Sequence, residues 1–420
     1  MRQDRPVPPS DVADPGLAGQ GGRRTAYAER SMPVLARLRD RFGRERPLDG
    51  LVVAACMHVT TETAVLVRTL TAGGAQVHLA ASNPLSTQDD VAAALAEDAG
   101  VVVHARHGVD RAGYDRHLHA VLDARPELVL DDGCDLVSRL HGRPELLGGV
   151  RAACEQTATG VLRLRHLAAH DALRLPVVAV NDTPVQLLVA NRHGTGQSTL
   201  DAVMRATNVL LAGATVVVAG YGWCGSGVAD RARGLGAQVV VTEVDPGRAL
   251  EAVLDGHRVL PMARAAPLGE VFLTMTGDRD VLTAEHFAVM KDGAVLANAG
   301  HFDVEIDVRA LAAQALEVRR VRPQVDEHVL PDGRRLLLVS EGRLANLAVA
   351  EGHPAAVMDM SFAVQALSLE WLVGQRLPSG VHAVPPGIDR EVAATRLAAT
   401  GVDLDVLTAG QERYLSTWRG

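Results

Sequence analysis

Residues 215–246 read TVVVAGYGWCGSGVADRARGLGAQVVVTEVDP, and the fold is decided by this stretch. The β-branched run from Thr215 to Ala219 predicts a buried strand. It leads directly into Gly220, Gly222, Gly225 and Gly227, and a helical pattern follows. A second β-branched run ends at Glu243. Glycines at a strand-to-helix turn let the backbone approach a pyrophosphate, whose charge then faces the helix N-terminus. A carboxylate about 20 residues further on is placed for the hydroxyls of a dinucleotide ribose. It would repel a 2'-phosphate, so the unit predicts NAD in preference to NADP. The cofactor positions read from this unit are Gly220, Gly222, Gly225 and Glu243.

Outward from this unit the chain keeps one rhythm. LVVAACM (51–57), AQVHLAA (75–81), GVVVHAR (100–106), ELVLDDG (127–133) and PVVAVND (176–182) read as strands separated by helical segments. After residue 215 the series resumes with AQVVVTEVD, VFLTMTG, AVLANAG and RRLLLVSEG. Alternation of this kind predicts an α/β protein with two doubly wound parallel-sheet domains, the second a Rossmann NAD-binding domain, and a short helical C-terminal tail. A helix over about 198–211 is the expected crossover between the two series. The expected layout is a disordered lead-in over 1–24, a substrate domain over 25–189 plus 355–388, an NAD domain over 190–354 and a tail over 389–420.

Composition excludes some roles. At 420 residues the chain exceeds what one hydrophobic core of about 250–300 residues serves. A net charge of -8 with no basic stripe argues against nucleic acid. No apolar run approaches the roughly 20 residues of a membrane span. Cys56, Cys134, Cys154 and Cys224 show no metal-ligand spacing, which predicts a reduced, cytoplasmic protein without a metal. Lys291 is the sole lysine.

Ten strings in collinear order resemble the S-adenosylhomocysteine hydrolase family: HVTTETAVLVRTL from His58, SNPLSTQDD from Ser82, LDDGCDL from Leu130, EQTATGV from Glu155, AGYGWCGSG, TEVDP, NAGHFDVEID from Asn298, PQVDEH, EGRLANL from Glu341 and GHPAAVMDMSF from Gly352. The resemblance spans about residues 11–415. It implies an enzyme that holds NAD tightly, oxidises the 3'-hydroxyl of a nucleoside, removes the C4' proton and expels the 5' group. It also implies a homodimer or homotetramer acting on an adenine-type nucleoside.

Carried over position by position, the resemblance makes His58 and Asp132 the acid-base pair, with His301 beside the ribose. Thr60, Glu62, Asn181 and His353 fall in the nucleoside pocket. Thr157, Thr159, Asn191, Trp223, Cys224, Arg248, Ala299, Gly300 and Asn346 fall at NAD contacts, with Trp223 and Arg248 standing where the family has Asp and Asn.

Residues 181–198, NDTPVQLLVANRHGTGQS, depart from the family pattern. Gln186 replaces the lysine that helps take the 3'-hydroxyl proton. Ala190 replaces an aspartate at the same hydroxyl region, and Gln156 replaces a ribose-contacting glutamate. The family's K-P-x-x-Y-R-Y tail is absent. Glutamine is no base and alanine bonds no hydroxyl. Three readings follow: a nucleoside dehydratase or lyase of specialised biosynthesis; a true S-adenosylhomocysteine hydrolase whose proton relay has moved to His193; or a non-catalytic NAD- and adenosine-binding paralogue. His193 reads equally as a solvent-facing loop residue.

Overall fold

The computed structural model describes residues 9–418. The first sheet holds β1 (Val52–Met57), β2 (Gln76–Ala81), β3 (Val101–His104), β4 (Leu128–Asp131), β5 (Ala152–Glu155) and β6 (Pro176–Ala179). The second holds β7 (Thr215–Ala219), β8 (Gln238–Thr242), β9 (Arg258–Val259), β10 (Val271–Thr274), β11 (Ala294–Asn298), β12 (Glu317–Arg322), β13 (Val325–Val329) and β14 (Arg335–Val339). A late strand, β15 (Gly380–Ala383), returns to the first sheet. The strand orders are β15-β6-β5-β4-β1-β2-β3 and β12-β13-β14-β11-β10-β7-β8-β9.

Every pairing in the first sheet is parallel. The strands of β7 to β11 and β14 are parallel too, and β12 and β13 form an antiparallel edge. Both sheets are therefore doubly wound. Their order reverses between β4 and β1 in one, and between β10 and β7 in the other. Crevices at such reversals, beyond the strands' carboxyl ends, are where open α/β sheets bind ligands.

The five strands not predicted from the sequence are short or carry no apolar period. β5 is four buried residues, and β9 is two. β12 is exposed along its whole length and reads EVRRVR. β13 is paired through a charged sequence, VDEHV. β15 lies in a Pro-rich stretch and is held by backbone pairing with β6.

The disordered lead-in does not hold for residues 9–24; residues 1–8 lie outside the described residues. Asp11 N–H donates to the Val103 carbonyl at 2.8 Å, and Ala105 N–H donates to the Asp11 carbonyl at 3.0 Å. The helix Ala18–Glu29 follows, with Ala18, Gly21, Thr25 and Ala28 as its buried face. Small side chains let it lie close against the helix Asp89–Ala96, and Arg24 clamps Asp90 at 3.0 Å.

The helix Ala355–Val373 closes the first core, packing Phe362 and Ala363 among Leu35, Leu38 and Phe42. It is the one described helix long and apolar enough to cross a membrane, a length the sequence reading did not register. Most of it is buried, and Asp359 within it accepts the backbone N–H groups of Val34 and Leu35 at 3.1 and 2.8 Å. These are orphan donors of the helix Pro33–Glu45, so the contact is a cap supplied from another element. The crossover between the sheets is the π-helix Gln186–Gly194 continuing into the α-helix Thr195–Thr207.

Candidate active site

The carboxyl ends of both sheets face one cavity of about 280 Å³. β1 delivers His58, β4 Asp132, β5 Gln156 and the π-helix Gln186 and Asn191; from the second sheet come Thr276 after β10 and His301 after β11. The polar residues that follow the strands thus converge on one space.

One end of the cavity is acid-base in character. His58 Nδ1 lies 2.6 Å from Ser86 Oγ, and that hydroxyl donates to the Asn83 carbonyl at 2.9 Å. Ser86 must then accept from His58 Nδ1–H, which leaves Nε2 with its lone pair. Nε2 lies 3.4 Å from Asp132 Oδ2. Burial lowers His58 to about 4, so it is neutral at pH 7. Burial raises Asp132, against the pull of His301, and favours its protonated form. His301 completes the group; one ligand-type atom from each of the three lies within 4.8 Å of the others. Gly133, with φ +112°, makes room: a Cβ there would stand 2.8 Å from His301 Nε2.

Three buried residues that the sequence reading does not single out hold this geometry. Glu155 accepts N–H from Gly133, Cys134 and Thr157 at 3.0, 2.8 and 2.8 Å, fixing the loop that carries Asp132. Burial beside Asp131 pushes its carboxyl up. Asn298 accepts from Gly300 N–H at 2.7 Å and donates to the Phe302 carbonyl at 2.8 Å, shaping the turn before His301. Glu305 accepts from Thr276 and Gly277 N–H, both at 2.9 Å. All three sit inside strings quoted above, but they act on backbone groups, which residue spacing does not display.

The sugar end is lined by amides. Gln156 donates Nε2 to Ser361 Oγ at 3.0 Å and leaves Oε1 buried without a partner. Gln186 is 4% exposed, and its Oε1 is likewise unpartnered. Asn191 Nδ2 donates to Asn181 Oδ1 at 3.2 Å. Ala190 is buried on the same π-helix. Thr60, Glu62 and His353 also line the cavity, together with Thr157, Thr159, Cys224, Ala299, Gly300 and Asn346.

His193 does not join them. It is exposed, lies outside the cavity lining and accepts from Arg231 Nη2 at 3.1 Å. The relay expected of it is therefore corrected: near the C-terminal end of the π-helix its side chain faces solvent.

The dinucleotide subsite extends beyond the cavity, so Gly220, Gly222, Trp223, Gly225, Glu243 and Arg248 do not line it. β7 ends just before Gly220, and the helix Trp223–Gly234 begins at the turn. A Cβ on Gly225 would fall 2.0 Å from the Gly220 carbonyl, so the turn requires glycine. Glu243 accepts Tyr221 N–H at 2.7 Å, which ties the acid to the glycine turn. Arg248 reaches the Tyr221 carbonyl at 3.4 Å. At the cavity side Asn346 donates to Ser198 Oγ at 3.0 Å and keeps Oδ1 buried and unpartnered. The order 3-2-1-4-5-6 counted from β9 to β14, the glycine turn, the acid and this orphan oxygen together fit a dinucleotide.

Comparison with known proteins decides the family. A family profile described as S-adenosyl-L-homocysteine hydrolase matches residues 9–145, and one for its NAD binding domain matches residues 191–352. The chain is 53% identical over 411 residues to the adenosylhomocysteinase of Thermosynechococcus vestitus, covering 97% of this chain and 96% of that one. This chain belongs to the S-adenosyl-L-homocysteine hydrolase family. It is an NAD-dependent enzyme of that family, and NAD is its cofactor. The adenosylhomocysteinase of Aquifex aeolicus is 55% identical, with 97% and 98% of the two chains covered. The S-inosyl-L-homocysteine hydrolase of Methanosarcina acetivorans is 52% identical over 403 residues, covering 96% and 98%. Among solved structures, a dipicolinate synthase from Bacillus halodurans aligns with TM-score 0.51 at 15% identity, over 77% of this chain and 99% of that one, a likeness of fold alone.

Proposed function

We propose that this family member is a nucleoside dehydratase: it takes an adenine-type nucleoside with a free 5'-hydroxyl and yields a 4',5'-unsaturated nucleoside and water, in specialised nucleoside biosynthesis. Bound NAD+ supplies the hydride acceptor for the sugar hydroxyl and gives the hydride back at the end. The observation that carries the reading is the split within one cavity. His58, Asp132 and His301 keep an intact acid-base group, while the sugar end presents Gln156 and Gln186, with Ala190 buried on the same π-helix outside the lining.

Each protein group has a task in this scheme. The unpartnered Oε1 atoms of Gln156 and Gln186 accept hydroxyl hydrogens and orient the sugar. Neutral His58, through Nε2, takes the C4' proton made acidic by the neighbouring ketone. Asp132, whose carboxyl is raised by burial, gives a proton to the departing 5' oxygen, which leaves as water. Glu62 and the apolar wall of Leu344, Leu347, Met358 and Phe362 receive the base. Among the described residues the lining includes no lysine or arginine, so an amino-acid carboxylate would meet no cation there.

A second reading, hydrolysis of a thioether, is favoured by the relatives, which are named adenosylhomocysteinase and S-inosyl-L-homocysteine hydrolase. Exposure of His193 removes the residue that would have rebuilt its relay.

Mass spectrometry of nucleosides incubated with the purified protein separates the two. Dehydration gives a product lighter by one water and no homocysteine. Stoichiometric homocysteine from S-adenosylhomocysteine, with no dehydrated nucleoside, overturns the proposal.

A further inference from the structure

We propose that Thr195 and His353 form the proton acceptor for the sugar hydroxyl oxidised in this site: the hydroxyl proton passes to Thr195 Oγ1 as the threonine's own proton passes to His353 Nε2. The inference rests on the reading of the site as one that oxidises a sugar hydroxyl. It does not depend on which 5' group leaves.

Oxidising an alcohol removes a hydride from carbon and a proton from oxygen, and the proton needs an acceptor. The amides Gln156, Asn181, Gln186 and Asn191 offer none. Cavity-lining groups that titrate are His58, Glu62, Asp132, His301, Glu351 and His353, besides the Cys224 thiol. Burial pushes that thiol up, away from the thiolate. Glu62 accepts the Thr61 hydroxyl at 2.8 Å. Glu351 is largely exposed and bonded to Arg24 at 3.1 Å. His58 lies 3.4 Å from Asp132 with His301 beside them, and the proposed function already assigns this group to the elimination. His353 remains.

Its Nε2 lies 3.2 Å from Thr195 Oγ1. Thr195 is 6% exposed and lines the cavity together with His353, and its Oγ1 also receives the Cys224 thiol at 3.7 Å. A competing acceptor in reach, the Ala190 carbonyl, is farther, at 3.4 Å. The widened turn of the π-helix brings these residues together: Thr195 N–H donates to that same carbonyl. π-turns inside helices frequently mark functional sites. Burial lowers His353 to about 4, so the ring is neutral at pH 7 and one of its two nitrogens keeps a lone pair; the relay uses the tautomer in which that nitrogen is Nε2.

The step balances. With NAD+ bound, the cofactor would take up the carbon's hydride, while the hydroxyl proton passes to Thr195 and the threonine proton to His353, leaving an imidazolium. Reduction of the ketone at the end of the cycle returns hydride and proton by the same route. The pair thus supplies, beside Ala190, the proton acceptor that this π-helix otherwise lacks.

The test is rapid mixing of the NAD-loaded protein with adenosine, reading the near-ultraviolet absorbance of reduced nicotinamide. Thr195→Val removes the hydroxyl and keeps the shape; Thr195→Ser keeps the hydroxyl. The Val variant is expected to form bound NADH about 10²-fold more slowly or worse, with NAD content and adenosine Kd little changed, and the Ser variant to stay near the native rate. A Val variant as fast as the native protein overturns the relay and leaves sugar oxidation standing. Equal slowing in Val and Ser variants overturns it too, because only one lacks the hydroxyl. No reduced nicotinamide from the native protein with adenosine or S-adenosylhomocysteine would overturn the oxidation reading itself, and the relay with it.

Discussion

The two ends of the cavity share walls but differ in how their polar atoms are satisfied. At the elimination end the reacting groups are held in place: His58 by Ser86 and Asp132, and the loop of Asp132 by Glu155. At the sugar end, Oε1 of Gln156 and of Gln186 is buried without a partner. A fully bonded group holds its geometry before substrate arrives. An unpartnered buried carbonyl costs about 1–3 kcal/mol until something donates to it. The elimination end is thus preorganised, and the sugar end is completed by its ligand. The contrast also separates the amides, which can only orient, from the groups that move protons: His58 and Asp132 at one end, and His353 through Thr195 at the other.

The largest effect expected is on the preorganised end. Asp132→Asn should slow formation of the unsaturated product by about 10²–10⁴, while the protein still holds NAD and still reduces it on adding nucleoside. Product assay beside nicotinamide absorbance reads both, and product at the native rate would remove Asp132 from the scheme.

Glu243→Ala acts outside the cavity. Loss of a charge-assisted hydrogen bond of about 1.5–3 kcal/mol should weaken NAD binding roughly 10- to 150-fold, measurable by calorimetry on NAD-stripped protein. The carboxylate also excludes a 2'-phosphate, so the native protein should prefer NAD to NADP. Equal affinity for the two would break that assignment.

Glu155→Gln tests whether the loop of Asp132 is held as described. The amide can keep one acceptor oxygen, but its NH2 faces a backbone N–H. Urea unfolding should show a loss of about 1–3 kcal/mol, and kcat should fall without a matching change in NAD binding. An unchanged kcat would show that the loop does not depend on Glu155.

Acid should affect the two ends alike through their histidines. His58 and His353 are lowered to about 4 from an ordinary 6.5, so the folded state binds fewer protons than the unfolded one in that window. Their contribution is present above about pH 6.5 and is lost as pH falls towards 4. Asp131, raised by burial to about 7, and Asp359, raised to about 6, act in the opposite sense, losing their contribution as pH rises through those values. Unfolding midpoints against pH should therefore show a shallower acid decline in His58→Gln than in the native protein. Parallel curves would mean that His58 titrates alike when folded and unfolded.

The smallest effect belongs to His193→Ala. An exposed side chain bonded to Arg231 should leave turnover and stability nearly unchanged, stability within about 0.5 kcal/mol. A large loss of turnover would return His193 to the relay.

How much of this is legible in the sequence follows from what each feature depends on. The glycine turn and Glu243 are readable because strand, turn, helix and acid occur at set intervals. Gln156, Gln186 and Ala190 are readable because they break otherwise familiar strings. His193 is not, because the side it faces depends on the π-helix Gln186–Gly194, which no period in the sequence announces. The lead-in misleads because its Pro- and Gly-rich composition resembles disorder, whereas its small residues are what allow the helix Ala18–Glu29 to pack closely. Glu155, Asn298 and Glu305 escape a sequence reading because their partners are backbone N–H and C=O groups of loops.

The most direct test of the central claim, that the sugar end sets the outcome, is homocysteine release from S-adenosylhomocysteine by the native protein and by a Gln186→Lys, Ala190→Asp variant, assayed beside an adenosylhomocysteinase. The account predicts slow release by the native protein, lower by about 10²–10⁴ than the reference enzyme, and a substantial gain in the variant. Native release as fast as the reference enzyme, with no gain in the variant, would contradict it.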